Sequence, residues 1–98
     1  MDIKDRVFTA LNALGKTPDD ICTFLMRRGI TGQRKSICKC PIAKYLREET
    51  GIVVSVSSES ILADDIAETI KMTMPKNVGE FIVRFDRGEF GALNNDCI

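Results

Sequence analysis

Ninety-eight residues suit a single small domain, and 44% hydrophobic with 29% charged residues is the balance of a folded chain rather than a disordered one. Fourteen basic residues cancel fourteen acidic ones, and there is no histidine, which removes Ser/His/Asp and Cys/His catalysis and the commonest metal ligand. No apolar run approaches the roughly 20 residues of a membrane helix.

The opening Met-Asp-Ile-Lys-Asp-Arg lacks the basic-then-apolar pattern of an export signal. A cytoplasmic protein with free thiols at Cys22, Cys38, Cys40 and Cys97 is therefore expected. Asp2 can cap a first helix whose apolar positions Ile3, Val7, Phe8, Leu11 and Leu14 follow helical spacing, with Gly15 as its stop. Thr17-Pro18-Asp19-Asp20 opens a second helix. Threonine caps it, proline fits its first turn and two acids face its positive end. Ile21, Phe24 and Leu25 form its inner face, Arg27 and Arg28 suit its last turn, and Gly29 ends it. The short link between these helices predicts near-antiparallel neighbours.

Residues 30–39 read as a loop from their glycine and polar content. Pro41 starts a third helix of about two turns carrying Ile42, Ala43, Tyr45 and Leu46, with Gly51 behind it. At 52–57 the period changes to two and β-branched residues dominate, so this is a strand. Residues 58–66 read as a connection. Residues 68–74 alternate again, which predicts a two-stranded antiparallel ribbon closed by Pro75. Val78, Phe81, Ile82 and Phe85 then define the apolar stripe of a last helix ending at Gly88. Phe90 and Leu93 fold back on it, and 94–98 form a frayed tail. The expected architecture is one α+β domain over 1–98, with a helical part at 1–51 and the ribbon and C-terminal helix at 52–93.

The zero net charge conceals a split. Residues 20–48 hold seven basic residues against Asp20 and Glu48, an excess of +5, whereas 49–98 hold four against nine acids, an excess of −5. Such a split either marks one face for an anionic partner or neutralises itself across the fold. The basic set is Arg27, Arg28, Arg34, Lys35, Lys39, Lys44 and Arg47.

Catalytic and cofactor motifs do not survive a spacing test. Asp19-Asp20 is explained as charge at a helix N-terminus, and Asp64-Asp65 on an extended segment point apart. The run from Gly29 to Ser36 has glycines and a lysine in the manner of a phosphate-binding loop. Arg34, however, stands where the second glycine belongs, and a helix rather than a strand precedes the run. Cys38 and Cys40 are closer than zinc pairs usually are, so a thiolate site would need Cys22 and Cys97 to converge on them. Cys40, beside Lys39 and a helix N-terminus, is a candidate reactive thiol. No cofactor is expected.

Three helices, the second and third joined by a basic turn, and then a ribbon resemble the element order of winged helix-turn-helix domains over residues 2–74. That resemblance implies a third helix in the major groove and a ribbon on the adjacent backbone. Its outward polar groups here are Lys44, Arg47 and Glu48, and the ribbon supplies only Lys71 as a base. The segments Cys-Pro-Ile-Ala-Lys-Tyr-Leu and Phe-Ile-Val-Arg-Phe-Asp-Arg-Gly-Glu-Phe together resemble small uncharacterised proteins of bacteria and their phages. The expected function is a small non-catalytic binding protein contacting nucleic acid through the seven basic residues. The alternative is a protein-interaction module, such as a phage-type inhibitor of a host complex, in which the basic loop meets an acidic protein surface.

Overall fold

The computed structural model describes residues 3–36, 39–64 and 69–93. Its elements run α1 (Ile3–Asn12), α2 (Pro18–Arg27), α3 (Pro41–Thr50), β1 (Val53–Val56), β2 (Ser60–Asp64), β3 (Thr69–Thr73) and α4 (Lys76–Asp86), then a 3₁₀ turn at Gly91–Leu93. The fold is α+β, as the sequence predicts.

Local signals place most helix ends. The Thr17 side chain accepts the Asp20 N–H at 3.1 Å and Pro18 fills the first turn, so α2 starts where its capping residues dictate. α3 starts on Cys40, whose sulfur accepts the Ala43 N–H at 3.4 Å, and stops on Gly51 at φ +71°. At 10 residues α3 exceeds the two turns expected. The Asp2 cap lies outside the described residues.

Two expectations about pairing are corrected. α1 packs chiefly on α3, and α2 packs on α4 and the 91–93 turn, so the nearest helix partners are not consecutive ones. Tyr45 is one reason for the first pairing. Its hydroxyl, on a side chain 1% exposed, donates to the Ala10 carbonyl at 2.7 Å and pins α3 to α1. For the second, the Arg84 guanidinium on α4 reaches Asp19 at 3.6 Å, and Asn77 Nδ2 donates to the Gly15 carbonyl at 2.8 Å.

The ribbon is also larger than expected, because residues 60–64 form a strand inside the predicted connection. The sheet is an antiparallel meander in the order β1-β2-β3, with Val56 opposite Ile61 and Ile61 opposite Met72. Ile61 and Ala63 point into the core while Leu62 and Asp64 face out. The β1–β2 turn is held by serines: Ser57 Oγ accepts the N–H of Ser60 at 3.1 Å and of Glu59 at 3.3 Å.

The α4 stripe behaves as read, with Val78, Phe81, Ile82 and Phe85 all buried. Phe90 folds back to stack on Phe81 at 5.1 Å between centroids, and Leu93 is 1% exposed. The β1–β2 turn presses on α4 at Gly79, where a Cβ would lie 2.4 Å from the Ser58 carbonyl oxygen. Only glycine permits that approach.

Candidate docking surface

The basic segment begins at the end of α2. Arg27 is exposed there. Arg28 is committed to the fold, since its guanidinium pairs with Glu49 and lies 5.5 Å from the Phe24 ring centroid and 5.7 Å from that of Tyr45. The Glu49 hydrogen bond holds its pKa above the usual arginine value.

The loop that follows is pinned from several directions. Gly32 N–H donates to the Leu93 carbonyl at 2.8 Å, and Gln33 N–H donates to the Lys39 carbonyl at 2.8 Å. Lys35 N–H donates to Asp86 Oδ1 at 2.8 Å, and Lys39 N–H donates to Ser36 Oγ at 3.0 Å. Gly32 also lies against the chain entering α3: a Cβ there would sit 2.5 Å from both the Lys39 oxygen and the Pro41 nitrogen. The consequence is that Lys35, at φ +59°, and Lys39 have exposed side chains on a backbone with little freedom. Arg34 is half-buried and reaches back toward Gly88 at the end of α4.

On α3, Pro41, Ile42, Ala43, Tyr45, Leu46 and Thr50 are buried, because the helix is covered by both α1 and β1. Lys44 is half-buried, and the exposed remainder is Arg47, Glu48 and Glu49. The seven basic residues therefore fall on three elements. Arg28 is internally paired, Arg34 and Lys35 meet the end of α4, and Lys44 and Arg47 belong to a largely covered helix.

The thiols divide in the same way. Cys40 is 3% exposed and caps α3, so it is not an accessible thiol. Cys22 is half-buried on α2 with its sulfur 3.8 Å from Met26 Sδ, and burial, then Asp19, push its pKa up, away from the reactive thiolate. Cys38 and Cys97 lie outside the described residues. Among the described residues no group of three metal-ligating side chains is close enough to hold an ion, and no helix is long and apolar enough to cross a membrane.

The structure adds residues outside the basic segment. The outer face of α4 carries Lys76, Glu80, Val83, Arg84 and Arg87 at helical spacing, and with Pro18, Ser58 and the buried Gly79 at its edge it lines an open groove of about 550 Å³. A second cavity of about 300 Å³, between α4 and the basic loop, is lined in part by Lys35, Ser36, Ile82 and Asp86 and shares Ser58 with the first. The outer face of α4 is legible in the sequence as a mixed stripe of Lys76, Glu80, Val83, Arg84 and Arg87, masked by the stronger apolar stripe on the inner face. No protein-family model, curated protein or solved structure matches the chain.

Proposed function

We propose that this is a small non-catalytic binding protein that docks on an acidic surface of a protein partner through its basic loop. The observation that carries the reading is the loop itself. Lys35 and Lys39 are exposed on a backbone fixed by hydrogen bonds to the end of α4 and to the 91–93 turn, and no ion pair occupies either side chain among the described residues. Cations carried on a backbone fixed beforehand steer an anionic partner and spare it the cost of ordering the loop.

Two features favour a protein over nucleic acid. A recognition helix needs a free face, whereas α3 is covered on most of its circumference and exposes Glu48 and Glu49 beside Arg47. Phosphate binding also draws on many uncompensated cations, and here Arg28 and Arg84 are already paired with carboxylates.

The test is the double substitution Lys35→Glu with Lys39→Glu, followed by affinity capture from a lysate of the cell that makes the protein. The expected result is a protein partner that survives nuclease treatment and is lost with the double variant while the circular dichroism spectrum is unchanged. A partner lost on nuclease treatment, or retention of the partner by the double variant, overturns the reading.

A further inference from the structure

We infer that the groove on the outer face of α4 receives an amphipathic helix of the partner, with an apolar centre and acidic residues toward both ends. This inference rests on the protein-partner reading and names the shape and chemistry of what binds.

Lys76, Glu80, Val83, Arg84 and Arg87 fall at helical spacing, so they form one strip along the side of α4 opposite Val78, Phe81, Ile82 and Phe85. Over most of its length such a strip on a soluble helix is polar. Here its middle is Val83, an apolar side chain 36% exposed, beside Gly79, which is buried beneath the Ser58 carbonyl. Pro18 at the start of α2 and Ser58 at the turn on Gly79 raise walls on either side, which turns the strip into a groove.

Charge sits at its ends. Lys76 opens α4 and Arg87 follows its last residue, about 16 Å away along the axis, the length of a three-turn helix. Neither has a carboxylate partner among the described residues. Arg84 is held against the groove by Glu89 at 2.9 Å and by Asp19 at 3.6 Å, and its guanidinium lies 4.7 Å from the Phe90 ring centroid. With Arg84 neutralised by these carboxylates, the positive charge of the lining is that of Lys76 and Arg87 at its two ends, with Glu80 between them. A helix with a Leu-type anchor over Val83, between the Pro18 and Ser58 walls, and carboxylates near Lys76 and Arg87 satisfies both halves of that pattern.

Other occupants fit less well. A second copy presenting its own α4 would bring Lys76 toward Arg87 if antiparallel and Lys76 toward Lys76 if parallel, repulsive in both cases. A nucleic-acid strand would meet Glu80 and an apolar centre where it needs phosphate contacts.

The experiment is a titration of the ¹⁵N-labelled protein with three probes, followed by amide chemical shifts. The probes are a helical peptide of about 14 residues with leucine on one face and glutamate at both ends, its lysine-for-glutamate counterpart, and a short oligothymidylate. The expected result is saturable shifts at Ser58, Gly79, Val83 and Arg87 with the glutamate peptide alone, weakened roughly tenfold by Val83→Glu or by Lys76→Glu with Arg87→Glu. Equal binding of the lysine peptide, oligothymidylate shifts on the same residues, or a concentration-dependent dimer abolished by Val83→Glu each overturns the inference. Shifts confined to Lys35 and Lys39 overturn it as well but leave the acidic-partner reading standing. No shifts at either place remove both.

Discussion

Gly79 sits inside α4, where alanine would ordinarily stabilise a helix by about 1 kcal/mol. The structure reverses that sign. A Cβ at this position would lie 2.4 Å from the Ser58 carbonyl oxygen, with the Ser58 carbonyl carbon at 3.5 Å and Met74 Cγ at 3.7 Å behind it. A carbon–oxygen contact relaxes near about 3.3 Å, so the β1–β2 turn or α4 must retreat by roughly 0.9 Å. The obstacle is backbone rather than a flexible side chain. Overpacking of that kind costs about 1–3 kcal/mol, and a backbone obstacle places it in the upper half, about 2–3, so after the propensity gain of about 1 kcal/mol Gly79→Ala is about 1–2 kcal/mol less stable. At about 2.1 cal/mol/K of unfolding entropy per residue over 98 residues, each kcal/mol is about 5 °C, so Tm should fall by about 5–10 °C. Thermal unfolding followed by circular dichroism measures this directly, with Gly91→Ala as the control, since nothing lies within 4 Å of a Cβ there. A Gly79→Ala protein as stable as the parent or more so would show that the turn does not rest on α4 as described.

Thr17→Ala should lose about 1 kcal/mol through the missing cap on α2, and urea unfolding with an unchanged slope would record it as a shift in midpoint. Tyr45→Phe should cost about 1–2 kcal/mol because the Ala10 carbonyl loses its buried partner. It should also change the alkaline behaviour. Burial, then Glu49, raises the Tyr45 pKa above its ordinary value of 10.0. The unfolded chain therefore gives up this proton first, and the stabilisation present below pH 10 is lost as pH rises through the folded-state pKa. Parent and Tyr45→Phe stabilities should converge above that value, and a constant gap between them would refute the assignment.

Where the signal was local, the sequence carried it well. Thr17 with Pro18, Pro41 with Gly51, and the Val78–Phe85 stripe each act within one or two turns, so capping and periodicity located α2, α3 and α4. β2 escaped because Ser57-Ser58-Glu59-Ser60 lacks the Gly, Asn or Pro that usually announces a hairpin, and because Ile61-Leu62-Ala63 is three apolar residues in a row. Leu62 faces out at 39% exposure, which hides the alternation. The helix pairings were illegible for another reason. They depend on Tyr45 meeting Ala10 and Arg84 meeting Asp19, contacts that no local window contains. The basic segment was visible as composition, but its division among α2, a pinned loop and a covered α3 follows from packing alone.

The Gly32 to Leu93 and Lys35 to Asp86 hydrogen bonds join the loop to residues made much later, the second across 51 positions. A ribosome delivers the chain from its N-terminus, so the loop's two lysines are synthesised well before the groups that hold them. Helices α1 to α3 can form as they emerge, but closing so long a span carries a chain-entropy cost that is met only when α4 docks. The loop's fixed backbone is thus completed only after residues 86–93 have been made, and a shorter growing chain carries its basic residues without the hydrogen bonds that hold them in register.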